Sequence, residues 1–186
     1  MKFGWIFLLA LAVAAGCVKK QTVPIPLPTA YPRPNLPDTV LVDAGNTPLR
    51  FAVNRESVVT VPREGWIDIS YPTLGATVHV TFTPTNPEDV AKVKENRMER
   101  LMLNAGEHPV DLSEYINQAG FDVLTASSEG SLTPFQFLAT DDSVWVVSGA
   151  VYFGSSQAVN ANDSLRPIVN AIRHDLIEGL NSLDYR

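Results

Sequence analysis

Cysteine is almost missing from this chain: one residue, Cys17, in 186. A single thiol excludes an internal disulfide framework and any zinc site built on several thiolates. Histidine is nearly as scarce. His79, His108 and His174 are never three or four residues apart, the spacing that would gather them on one helix face around a metal, so no metal is expected. A basic surplus is missing too. Lys and Arg number 14 against 20 Asp and Glu, a net charge of −6, which leaves nothing to neutralise phosphates and argues against a nucleic-acid partner. The leading apolar run, Ile6 to Ala15, falls well short of the roughly twenty residues a membrane-spanning helix needs. No GxSxG, HExxH, P-loop or GxGxxG pattern occurs, so neither catalytic residues nor a cofactor site are assigned and no enzyme is expected.

What is present divides the chain into three. Residues 1–16 carry one basic residue, Lys2, then the apolar run and small residues, the form of a secretory signal peptide. Ala14-Ala15-Gly16-Cys17 resembles a bacterial lipobox, with Ala14 where Leu is usual. Cys17 is therefore the expected lipidation site, giving a membrane partner through the anchor. Several acyl chains, at about 0.8 kcal/mol per buried methylene, hold a protein to a bilayer effectively permanently. Lys19 and Lys20 follow, placed to meet anionic headgroups. Residues 17–48 hold Pro24, Pro26, Pro28, Pro32, Pro34, Pro37 and Pro48, a density that blocks helix and sheet alike and predicts an extended tether.

Residues 49–186 read as a single α+β domain: an antiparallel sheet of about five to seven strands with two main helices packed on it. Apolar residues are 45% of the chain, enough for a core. Residues 49–53 and 57–61 are short β-rich pieces. Residues 66–71 and 76–83 alternate with period two around a turn at 72–75, a hairpin. Asn86-Pro-Glu-Asp89 opens a helix over 87–104 with Gly106 as its stop. Arg97 falls on the apolar stripe of that helix, which predicts shallow seating on the sheet. Residues 111–117 suggest a short helical turn. Strands follow over 121–126, 134–140 and 143–153, with Asp141-Asp142 as the turn between the last two. Asp163 or Ser164 would cap a final helix through Leu183, whose Leu165, Ile168, Val169, Ile172, Leu176 and Leu180 keep three-four spacing.

Among possible site residues, His79 shares its strand face with polar Thr77 and Thr81, while His174-Asp175 reads as a solvated surface pair. Asp141 with Asp142, Glu64-Gly65 and Glu129-Gly130 read as turn chemistry. Trp66, Tyr71, Trp145, Tyr152 and Phe153 lie in strands. They are sheet packing, or a partner surface if one face of the sheet is open.

Three segments in order carry a resemblance: 66–72 running into 76–82, 134–145 leading to 149–153, and 162–168 opening the last helix through Tyr185. With the lipobox and Tyr31-Pro-Arg-Pro34, they resemble the gliding motility-associated lipoprotein GldD family of Bacteroidota over roughly residues 17–185. The resemblance implies a non-catalytic cell-envelope lipoprotein, lipid-anchored at the outer membrane and facing the periplasm. It would support gliding motility and the type IX secretion machinery by stabilising or scaffolding other envelope motility and secretion lipoproteins. The alternative is a periplasmic, lipid-anchored small-ligand binding module, which requires a closed apolar cavity.

Overall fold

The computed structural model describes residues 34, 36, 38–154 and 165–186. The expected signal peptide, Cys17, most of the tether prolines, and the cap candidates Asp163 and Ser164 lie outside the described residues.

Two meanders build a seven-stranded antiparallel sheet. The first runs β3 (Val58–Arg63), β4 (Trp66–Tyr71) and β5 (Ala76–Pro84); the second runs β6 (Asp111–Ile116), β7 (Asp122–Ser127), β8 (Phe135–Thr140) and β9 (Trp145–Phe153). Their order in space is β3-β4-β5-β9-β8-β7-β6, so the seam between the meanders is the pairing of β5 with β9. It runs without a slip from Ala76↔Phe153 to Pro84↔Trp145. Helix α1 (Val90–Ala105) joins them, because a chain leaving β5 must cross the sheet to reach its far edge. Asn86 starts it, its Oδ1 accepting the N–H groups of Glu88 and Asp89 at 2.9 and 3.0 Å. Gly106, at φ 66°, ends it.

Strict alternation decides which way the strands face. Ile67, Ile69 and Tyr71 of β4 and Ala76, Val78, Val80 and Phe82 of β5 all enter one large core with Phe137, Val147 and Val151. That face is covered by helix α2 (Arg166–Asn181) and by a second sheet, order β1-β2-β10, made of β1 (Thr39–Asp43), β2 (Leu49–Asn54) and β10 (Asp184–Tyr185). Phe51 of β2 meets Phe82 at 6.0 Å between ring centres. Gly179 lets α2 lie directly on β2: a Cβ there would stand 2.6 Å from the Ala52 carbonyl oxygen. On the opposite face α1 makes a smaller core with Leu124, Ala126, Leu138 and Val146, burying only Val90, Leu101 and Ala105 of its own. The shallow seating expected from Arg97 is what the helix shows.

The fold is α+β, as expected, with a three-stranded sheet added to the anticipated one. Three local readings are corrected. Residues 111–116 form β6, not a helical turn, because pairing with β7 from Asp111↔Ser127 to Ile116↔Asp122 overrides a weak local signal. Strand β1 lies inside the stretch read as tether: no proline falls between Pro37 and Pro48, and Thr-Val-Leu-Val is free to pair with β2. Asp175 is not solvated. Its position lies on the apolar stripe of α2, and it is buried beneath Tyr71, whose hydroxyl donates to it at 2.5 Å.

Asn117, in the β6–β7 turn, fastens the layers together. Its Nδ2 donates to the Leu180 and Leu183 carbonyls, both at 2.9 Å, and its Oδ1 accepts the N–H groups of Ala119 and Phe121 at 3.0 and 2.9 Å.

Candidate functional site

Because α1 crosses over β8 and β9 and reaches β5 only at its Thr83 end, it leaves most of the outward face of β3, β4 and β5 bare of other described residues. Register sets the rows on that face. Trp66 stands beside Thr81 and Ser148; Asp68 beside His79 and Ala150; Ser70 beside Thr77 and Tyr152. Of the five strand aromatics singled out from sequence, Tyr71 is buried, while Trp145 and Phe153 pack against the large core. Trp66 and Tyr152 are each 37% exposed on the bare face.

Where α1 meets this face a groove of about 270 Å³ opens, lined among others by Trp66, His79, Arg97, Arg100, Asn104 and Tyr152. Trp66 carries the Arg63 guanidinium 3.4 Å above its ring. His79 bonds the Asp68 carboxylate through Nδ1 at 2.6 Å and rests against Tyr152 with ring centres 5.2 Å apart. Arg97 donates to Thr83 Oγ1 at 2.8 Å. Burial, and then the neighbouring charge of Arg100, lowers the Arg97 pKa. At the groove's inner end Gln136 is buried. Its Nε2 donates to the Leu101 carbonyl at 3.0 Å and its Oε1 accepts from Asn104 at 3.1 Å, tying the end of α1 to β8.

Between the sheets, by contrast, a void of about 20 Å³ is lined by Phe51, Ile69 and Leu176, room for about one water and not for a ligand. Packing is tight here. Phe137 lies across Gly149 on the neighbouring strand, where a Cβ would come within 2.3 Å of its ring.

The remaining sequence candidates stay apart. Among the described residues no three His, Cys, Asp or Glu side chains are grouped to hold a metal. Asp141 and Asp142 form the β8–β9 turn, Asp142 at φ 54° and Asp141 Oδ1 accepting the N–H groups of Ser143, Val144 and Trp145. Tyr185 also donates to Asp141. Burial raises the Asp141 pKa, but these donors outweigh it and bring the carboxyl below its usual range. Gly65 and Gly130 sit in their turns at φ 70° and 81°. His174 lies on the surface near Glu178. Sequence reasoning missed Arg100, Asn104 and Gln136 as groove residues. Its one usable signal was the charged Arg97 on an otherwise apolar stripe.

Fold and groove together define an α+β domain whose antiparallel sheet is covered on one face and half bare on the other, with aromatic and basic side chains along the bare part. The chain belongs to the family described as Gliding motility lipoprotein GldD, whose model matches residues 21–185. No curated protein matches the chain. It is thus a lipoprotein of the cell envelope connected with gliding motility.

Proposed function

We propose that this protein is a non-catalytic, lipid-anchored envelope component that supports gliding motility and type IX secretion by holding other motility lipoproteins in place. Cys17 carries the lipid. Residues 17–37 act as the tether, and the domain that follows is presented to the periplasm from the outer membrane. The observation that carries the reading is the half-bare sheet face among the described residues: Trp66 and Tyr152 stand exposed there beside the cationic wall of α1, while the void between the two sheets holds only about 20 Å³. Exposed aromatics and arginines in one patch are the side chains that dominate protein contacts. A small-ligand binding module would need an enclosed apolar cavity, and the space between the sheets is too small for one.

The test is deletion of the gene followed by complementation. Loss of gliding and secretion, with a fall in the abundance of other motility lipoproteins, is the expected result. A deletion strain that glides, secretes and keeps those lipoproteins at normal levels refutes the role. Cys17→Ser tests the anchor: the variant should take up no fatty-acid label and leave the membrane fraction, since two lysines contribute only about 1 kcal/mol each at an anionic surface.

A further inference from the structure

We propose that the groove between α1 and the bare part of the large sheet docks an acidic peptide segment of a partner protein, its carboxylates gripped by Arg97 and Arg100. This rests on the reading above that the chain acts by contact with other envelope proteins.

Charge carries the inference. The chain has a net charge of −6, yet the basic side chains His79, Arg97 and Arg100 line the groove and no carboxylate does. Asp68, beside His79 on the sheet, is taken up by it at 2.6 Å, and Glu95 and Glu99 of α1 are not among the groove's lining residues. Arg63, stacked on Trp66, adds a third guanidinium beside the groove. Elsewhere on the surface Arg50, Lys94, Arg166 and Arg186 each meet a carboxylate, while among the described residues Arg55, Lys92 and Arg173 stand singly, outside the groove lining. Arg63, Arg97 and Arg100 form no ion pair among the described residues. Holding two guanidinium groups side by side and partly out of water is unfavourable, as the lowered pKa of Arg97 reflects, and a bound carboxylate relieves it.

The rest of the lining favours a peptide over an anionic saccharide. Sugars stack on free aromatic faces, but the Trp66 face is covered by Arg63 at 3.4 Å and Tyr152 is tilted against His79. The amides that would read hydroxyl groups are engaged too, since Asn104 and Gln136 bond each other and Gln136 bonds Leu101. Small side chains from β5 and β9, Thr81, Ser148 and Ala150, floor the slot. At about 270 Å³ and open to solvent, it suits a few side chains of a longer chain.

The test uses the full lipidated chain in non-ionic detergent and fluorescein-labelled hexaglutamate, read by anisotropy. Hexaglutamate should bind, more weakly as salt rises, while hexaglutamine and hexalysine should not. Arg97→Gln with Arg100→Gln should weaken binding about ten-fold or more. Arg55→Gln with Lys92→Gln removes the same charge from exposed positions outside the groove and should change nothing. Arg100→Gln alone should weaken binding several-fold with an unchanged melting curve, which separates loss of contact from loss of fold. Absence of hexaglutamate binding, or equal weakening in the two double variants, overturns the proposal. So does displacement of the peptide by polygalacturonate at lower carboxylate concentration, which would assign the groove to a saccharide. Self-association abolished by the Arg97/Arg100 pair overturns it in favour of a second copy. The underlying reading fails separately: hexaglutamate binding together with a deletion strain of normal motility and secretion would leave the groove standing and remove the role.

Discussion

Asn117→Ala should be the most damaging single polar substitution in this fold. The side chain makes four hydrogen bonds from a buried position, one to the last turn of α2, one to Leu183 just beyond it and two to its own turn. The Leu180 carbonyl keeps the Leu183 N–H at 3.3 Å. The Leu183 carbonyl and the N–H groups of Ala119 and Phe121 each lose the Asn117 partner. At about 1 kcal/mol net per bond, with more for a group left bare inside, the loss comes to about 3–4 kcal/mol. A domain of this kind is stable by roughly 5–15 kcal/mol, so that is a large share. Urea unfolding followed by tryptophan fluorescence and far-ultraviolet dichroism should show the midpoint falling with the slope unchanged. Asn117→Asp refines the reasoning. It still accepts from Ala119 and Phe121, but at neutral pH it presents a carboxylate to two carbonyl oxygens. It should therefore be as damaging as alanine at pH near 7 and partly recover in acid, where the protonated group donates one bond. An alanine variant within about 1 kcal/mol of wild type, or an aspartate variant as stable as asparagine at neutral pH, would refute the reasoning.

Other consequences can be checked with the same unfolding assay. Gly149→Ala drives a Cβ into the Phe137 ring and should cost about 1–3 kcal/mol, and combining it with Phe137→Leu should cost less than the two separately. Burial raises the Asp175 pKa above its ordinary 3.8, outweighing the Tyr71 hydroxyl, with the Glu178 charge adding to the rise. The native state therefore favours the neutral acid, so this group's contribution is full below about pH 3.8 and is lost as pH climbs through the native pKa. Asp175→Asn should remove that decline. Asp141 has the opposite sign: its pKa is lowered, so its contribution is present above about pH 3.8 and disappears as pH falls through the native value, a loss that Asp141→Asn should abolish.

The elements that sequence revealed are those whose signal is local. Period-two alternation over 66–71 and 76–83 needed no partner to be recognised, and the β4–β5 hairpin is where alternation put it. Asn86 and Gly106 marked the ends of α1 through side-chain and backbone chemistry confined to a few residues. Strands β6 and β1 were obscured because their stability comes from β7 and β2, which no window of either contains. The groove was hidden for a similar reason. Trp66, Tyr152 and Arg97 come from three elements, and only the crossing of α1 decides which part of the sheet stays bare. Asp175 could have been caught: a carboxylate three residues after Ile172 and one before Leu176 breaks the apolar stripe, the same kind of signal that singled out Arg97.

The β5–β9 seam has a kinetic consequence. Its paired residues lie roughly seventy positions apart, a separation that puts the centre of the sheet among the slow, high-contact-order steps of folding. Closing a loop of that length costs about 4 kcal/mol of chain entropy before the seam returns anything. Each meander can zip along its own short turns, so β3-β4-β5 and β6-β7-β8-β9 become two half-sheets, each ending in an open edge nine residues long. A chain made from its N-terminus onward exposes the β5 edge until β9 has emerged. Throughout that interval a strand that is interior in the finished sheet is an edge, open to a strand of any other chain.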